Sequence, residues 1–290
     1  MRALLAALFL RTRASRPTVL SDMHRSAADA ILCTSLLPRR PCSTDSDWIA
    51  ACLGSQPLFP KSEEHARKAV RWAMSTASPR IVLGNGGARA NVTRLYRWGS
   101  IESEKGLDMG DPCAWARVFF PSGRLRAPLV ALLTEHVMEH MTPISVLTAA
   151  AAAFHVLRPG GRFRNAMPDG YNPSNSNRLG TNDIKGSAPH RIMWTHSTLG
   201  EVLARAGFEV MEQEWHTVDG RFHQRPWWES AQTFGHVRRS LGNRSRDRDG
   251  SQHKKKKTRG GHSLIMDAIK PAADTRQSPH NGLRKPVKAL

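Results

Sequence analysis

Thr134-Glu135-His136-Val137-Met138-Glu139-His140 places two imidazoles and a carboxylate in the order H-x-x-E-H. On one continuous helix, His136 and His140 would lie a turn apart and could share a zinc ion, with Glu139 as the base that activates a bound water. A metal-dependent hydrolase is therefore the first chemistry to weigh, and the flanking elements decide against it. Before the motif, APLVALLTEH (127–136) is an apolar run of strand length. After it, Thr142 can cap free N–H groups while Pro143 takes the first helical position, where its missing N–H costs nothing. A helix carrying both histidines would have to pass through the point where a new helix is capped. The sequence predicts a strand end and a loop across the motif, and no metal ion is expected.

The surrounding elements alternate. SEEHARKAVRWAMS (62–75) sets Ala66, Ala69, Val70 and Ala73 on one helical face, with a Ser N-cap. RIVLGNGG (80–87) reads as a buried strand entering a glycine turn. The helix opened at Thr142 runs to about residue 157 and is expected to stop at the Pro and glycines of RPGG. GRFRNAMPD (161–169) follows as a strand, and the polar stretch 170–190 as a long loop. HSTLGEVLARAGF is a helix with Ser197 or Thr198 as cap and Gly207 as its stop. The strands 208–215 and 262–270 have no helical pattern between them and are expected to pair antiparallel. This order predicts an α/β fold: a mostly parallel sheet with an antiparallel last strand and helices on both faces.

Charge separates the ends from the body. The chain has 290 residues, 40% hydrophobic and 23% charged, enough for a full core and one to two domains. Its formal charge of +19 is uneven: residues 1–44 carry +5 and residues 236–290 carry +11, leaving +3 for the 191 residues between. Residues 1–44, rich in Arg, Ser and Ala and without an acid before Asp22, have the features of an organelle transit peptide for a mitochondrion or plastid, the alternative being a disordered segment on a cytoplasmic protein. The run ALLAALFL is too short to span a bilayer, and no transmembrane segment is expected. HKKKKTRGG (253–261), within a basic insertion at about 243–261, is a solvated loop or a contact for RNA or another polyanion. Residues 273–290 read as a tail. Cys33, Cys42, Cys52 and Cys113 show no C-x-x-C spacing, so neither a zinc knuckle nor a disulfide framework is indicated.

Several stretches together resemble one family. LLTEHVMEHMTP, AFHVLRPGGRFRNAMPD, WGSIESEKGLDMGDPCAWARVFFP and PHRIMWTHSTLGEVLARAGF are similar to the core of class I S-adenosylmethionine-dependent methyltransferases, in particular a type-11-like group. The likeness covers about residues 81–271 and implies a Rossmann-like domain at 60–272 that binds S-adenosyl-L-methionine. By that resemblance, Gly84, Asn85 and Gly86 form the glycine turn that lets backbone approach the cofactor. Glu104 would accept hydrogen bonds from the ribose hydroxyls, and Asp108 would lie near the adenine. Glu135 and His136 would end the fourth strand at the pocket, with His190, Trp194 and the loop 170–190 over its mouth. The usual Asp two positions before the first glycine is Val82 here. The expected activity is methyl transfer to an acceptor the sequence does not identify, with no catalytic base singled out among Glu135, His136 and His190. The alternatives are a non-catalytic scaffold of the same fold and an RNA-binding protein working through basic ends.

Overall fold

The computed structural model describes residues 45–57, 60–84, 98–101, 107–175, 180, 189–226, 234, 237 and 263–272. Five α-helices are described: α1 (Asp45–Leu53), α2 (Pro60–Met74), α3 (Pro112–Phe119), α4 (Pro143–Val156) and α5 (His196–Arg205). Seven strands form one sheet: β1 (Arg80–Leu83), β2 (Gly99–Ile101), β3 (Leu129–Glu135), β4 (Leu157–Pro168), β5 (Glu209–His216), β6 (Phe222–Gln224) and β7 (Ser263–Ile269). Their spatial order is β2-β1-β3-β4-β7-β5-β6. The first four run parallel, and β7 is antiparallel to both β4 and β5. The mostly parallel sheet and its antiparallel last strand are as expected; the short β6, paired antiparallel with β5, is an addition.

Register shows what each face of the sheet meets. Ile81 lies beside Leu132, Leu132 beside Phe163, and Phe163 beside Ala268. These four belong to the large core, and the buried apolar residues of all five described helices join it. Each fully buried Val, Leu, Ile, Met or Phe side chain among them contributes about 1.5–3 kcal/mol. The opposite face carries Val82, Ala131 and Leu133 with Trp98 and Val237 in a smaller cluster. Among the described residues, the helices therefore pack on one face, where both faces were expected to be covered by helices.

That second face also holds charge. Arg164 and Asp267 are both fully buried, and Arg164 Nε and Nη2 donate to the two Asp267 oxygens at 2.6 and 2.7 Å. Arg162 and Gln213 add further bonds to Asp267. A planar guanidinium matches a carboxylate bidentately, which offsets the cost of taking both from water.

Several boundaries differ from expectation for identifiable reasons. Helix α2 opens at Pro60, placing Ser62 inside its first turn rather than at its cap. In α5 the cap is Thr195, whose hydroxyl accepts from Thr198 N–H while the Thr198 hydroxyl accepts from Thr195 N–H, a reciprocal capping box. RPGG is not a stop between elements: β4 begins at Leu157 and bulges, its pairing with β3 shifting from Leu129↔Leu157 to Ala131↔Arg162. Lys270 holds this corner, its Nζ donating to the carbonyls of Phe154 at 2.7 Å and Leu157 at 2.9 Å. The last carbonyls of α4 thus find a cation at the negative end of the helix.

Two features had no counterpart in the sequence reading. Helix α1 lies before the expected domain start at 60, yet its Trp48, Ile49 and Cys52 enter the main core. Cys52 is disulfide-bonded to Cys113 on α3, although no disulfide was indicated by spacing. Beside this link Arg117 is buried against Glu63, Asp111 and Ser55. Burial draws the Arg117 guanidinium down, but the hydrogen bonds and charge of Glu63 and the charge of Asp111 outweigh it and hold its pKa above the ordinary value.

Candidate functional site

The connectivity reverses at the carboxyl ends of β1 and β3. From β1 the chain goes to β2 on one side, while β3 leads through α4 to β4 on the other. In open α/β sheets, ligands bind where the strand order reverses in this way. The residues at that reversal are Leu83 at the end of β1 with Gly84 after it, and Glu135 at the end of β3 with His136 after it. Two of the expected cofactor residues, Gly84 and Glu135, are therefore brought together.

Gly84 is required by its surroundings twice over. Its φ is +102°, and a Cβ there would lie 2.2 Å from Val137 Cγ2. Its N–H donates to Ile101 O at 2.8 Å, so the turn stays tied to β2. The missing side chain thus makes room for Val137, which joins the ends of β1 and β3. Glu135 is buried at 2% exposure beside Ala166 of β4. His136 has a φ of 56°, and its N–H donates to Ala166 O at 2.8 Å. A left-handed conformation costs a histidine about 1–2 kcal/mol, so the backbone at the strand end is held against its preference.

The other expected contacts divide. Asn85, Gly86 and Glu104 lie outside the described residues. Asp108 is exposed, and its Oδ1 accepts from Gly110 N–H at 2.9 Å in the turn that leads to Asp111, the N-cap of α3. Val82, where the family pattern has an acid, packs in the apolar cluster of the second face. His190 and Trp194 are buried at 1% and 0% exposure, so they belong to the packed interior rather than to an exposed cover. Trp194 Nε1 donates to Met138 O at 3.2 Å.

Across H-x-x-E-H the expected break is found. Strand β3 ends at Glu135, a short 3₁₀ turn covers Met138–His140, and Thr142 caps α4 by accepting from Ser145 N–H. The residues nevertheless converge. Glu139 is 1% exposed, with His136 Nδ1 at 3.0 Å and His140 Nε2 at 3.9 Å from its Oε1. His190 approaches from the loop before α5, its ring 5.0 Å from that of His140. One potential ligand atom from each of Glu139, His140 and His190 lies within 4.8 Å of the others. Sequence reasoning placed His190 near the pocket and did not join it to Glu139. The main-chain bonds that fix the pairing, Arg191 N–H and Ile192 N–H to Glu139 O at 2.7 and 3.3 Å, leave no mark in residue spacing.

No protein-family model matches the chain, and no curated protein matches it. Solved structures do. One is the 1,6-didemethyltoxoflavin-N1-methyltransferase of Burkholderia thailandensis, with bound 1,6-didemethyltoxoflavin and S-adenosylhomocysteine, at 14% identity and a TM-score of 0.36, covering 89% of this chain and 93% of that one. Another is a SAM-dependent methyltransferase from Archaeoglobus fulgidus, at 11% identity and a TM-score of 0.36, covering 73% of this chain and 96% of that one. At such scores these likenesses carry no weight for function, which rests on the chain's own strand order and residues.

Proposed function

We propose that the chain is an S-adenosylmethionine-dependent methyltransferase whose cofactor lies in the crevice at the carboxyl ends of β1 and β3. The observation that supports this most is the reversal of strand order between those strands, with Gly84 on one side and the buried Glu135 on the other. The residue types suit the ligand: a tight positive-φ turn brings backbone close, and carboxylates accept from ammonium and hydroxyl donors. In this reading Gly84, Asn85 and Gly86 approach the cofactor with backbone, Glu104 takes the ribose, Asp108 lies toward the adenine, and Glu135 faces the pocket. When bound, the cofactor supplies a sulfonium methyl group to a nucleophile on the acceptor. The protein's part is to align that nucleophile and to accept its proton. Titration with S-adenosylmethionine and its demethylated product, followed by calorimetry, tests the reading.

A non-catalytic scaffold of the same fold is favoured by one observation, the apolar packing of Val82 where the family pattern has an acid. Absence of saturable binding of S-adenosylmethionine or its demethylated product at about millimolar concentration would put it in place of the enzyme reading. For the termini, we propose that residues 1–44 address the protein to an organelle, on the strength of their Arg, Ser and Ala content. A reporter fused to this segment should relocate, and one that stays in the cytosol would end the idea. The +11 carried by residues 236–290 would make polyanion binding steeply salt-dependent, and RNA binding unchanged after deletion of both 253–261 and 273–290 would end that idea.

A further inference from the structure

We propose that Glu139, His140 and His190 form a binding site for one divalent first-row transition-metal ion. The expectation of no metal rested on the absence of a helix carrying His136 and His140. That helix is indeed absent, but the trio here uses a different partner, brought in by the loop before α5.

The tautomer of His140 is the first reason. Its Nδ1 lies 3.3 Å from Pro189 O, and a carbonyl can only accept, so Nδ1 carries the hydrogen. In the neutral ring Nε2 is then a bare lone pair, and it faces the Glu139 carboxylate at 3.9 Å. A lone pair and a carboxylate so placed repel unless a proton or a metal ion stands between them. Metal-bound histidines commonly donate their second ring N–H to a backbone carbonyl in this way.

Burial is the second reason. Glu139 is 1% exposed, and neither of its carboxylate oxygens has a partner of hydrogen-bonding geometry among the described residues. The nitrogen atoms within 4 Å of its carboxylate there belong to imidazoles, His136 Nδ1 at 3.0 Å and His140 Nε2 at 3.9 Å, not to a permanently charged Lys or Arg. An ionised carboxylate with so little compensation is costly in the interior, and a divalent ion supplies the missing charge.

The third is that the frame is built. Glu139 O accepts from Arg191 and Ile192 N–H, Gly180 N–H donates to His190 O at 2.9 Å, and Trp194 Nε1 is anchored on Met138 O. His190 is therefore held from both sides. Ligand atoms within 4.8 Å of one another need to close to about 3.0–3.4 Å around an ion with bonds near 2.1 Å. His140, with 23% of its side chain exposed, is the ligand with room to move. Two imidazoles and one carboxylate suit Zn²⁺, Co²⁺ or Mn²⁺, and three protein ligands leave positions open to an oxygen ligand. His136, against Glu139 Oε1, is a positioning residue for the carboxylate.

The test is titration of the full chain, stripped with chelator, with Co²⁺ followed by visible absorption and with Zn²⁺ by calorimetry. One ion per chain is expected, with its binding lowered at least about a hundredfold in Glu139→Gln and His190→Ala and about ten- to a hundredfold in His136→Ala. The partly exposed His140→Ala serves if a buried variant misfolds by circular dichroism, and His65→Ala, exposed on α2, should bind as the parent does. No saturable binding at about millimolar metal, or equal binding by the parent, His140→Ala and His190→Ala, overturns the proposal. Neither cofactor nor acceptor is present in this experiment, so its failure leaves the methyl-transfer reading standing, and the reverse also holds.

Discussion

Replacing Gly84 by Ala probes the junction on which the crevice depends. Alanine at a φ of +102° carries strain of about 1–3 kcal/mol. Its Cβ would also meet Val137 Cγ2 at 2.2 Å, and over-packing of this kind costs about 1–3 kcal/mol more. Together these give about 2–6 kcal/mol, a large part of the roughly 5–15 kcal/mol that holds a domain folded. Val137→Ala alone should cost about 1.6 kcal/mol for two buried methyl groups, plus a term for the cavity. In the double variant the colliding Cγ2 is gone, and the remaining Val137 Cβ position, 3.7 Å away, is an ordinary contact. The double variant should therefore be less destabilised than the two single effects added, by about 1–3 kcal/mol, while the backbone strain persists. Urea unfolding of the four proteins, with the extrapolation slope checked for constancy, gives this coupling directly. Additive effects to within about 0.5 kcal/mol would refute the contact between the two strand ends. A Gly84→Ala variant as stable as its parent would refute the positive-φ turn itself.

Two further outcomes concern the packing behind the site. Arg117→Met leaves Glu63 and Asp111 buried without their cation and should cost about 3–5 kcal/mol in urea unfolding, whereas adding Glu63→Leu should restore much of it; an Arg117→Met protein of parental stability would contradict the pairing. The Cys52–Cys113 bond closes a sequence separation of 61 residues, so replacing both cysteines by Ala should lower stability by about 4 kcal/mol on the chain-entropy estimate. An unreduced digest should show the two peptides joined, and free thiols at both positions would remove the crosslink.

What the sequence made legible follows the range of the interactions involved. The strand end at Glu135 and the helix start at Pro143 were readable because Thr142 and Pro143 act within a few residues of themselves. The cap of α5 was misplaced because Thr195, Ser197 and Thr198 are all eligible, and only the reciprocal bonds of Thr195 with Thr198 decide among them. RPGG looked like a terminator, but Lys270, brought in from the end of β7, satisfies the helix carbonyls and lets a strand begin at once. Helix α1 has a weak local pattern and owes its place to Trp48 in the core and to Cys52, joined to a distant cysteine.

The same division holds at the site. Gly84 and Glu135 were assigned through the resemblance to a family pattern that sets them at strand ends, and the sheet puts those ends side by side. The meeting of Glu139, His140 and His190 could not be read, because main-chain bonds between a 3₁₀ turn and a remote loop create it. His136 is instructive in both respects. Its letter belongs to a zinc-helix pattern, but its positive φ ends a strand and turns the chain toward Glu139.

The most direct test of the central claim is calorimetric titration of the unaltered protein with S-adenosylmethionine and S-adenosylhomocysteine, in parallel with Glu135→Gln. A methyl-transfer cofactor in the crevice between β1 and β3 requires saturable binding of one molecule per chain at about micromolar Kd, weakened about tenfold or more by Glu135→Gln in a folded variant. Absence of saturable binding of either compound up to about 1 mM, where binding free energy has fallen to roughly 4 kcal/mol, would contradict the claim.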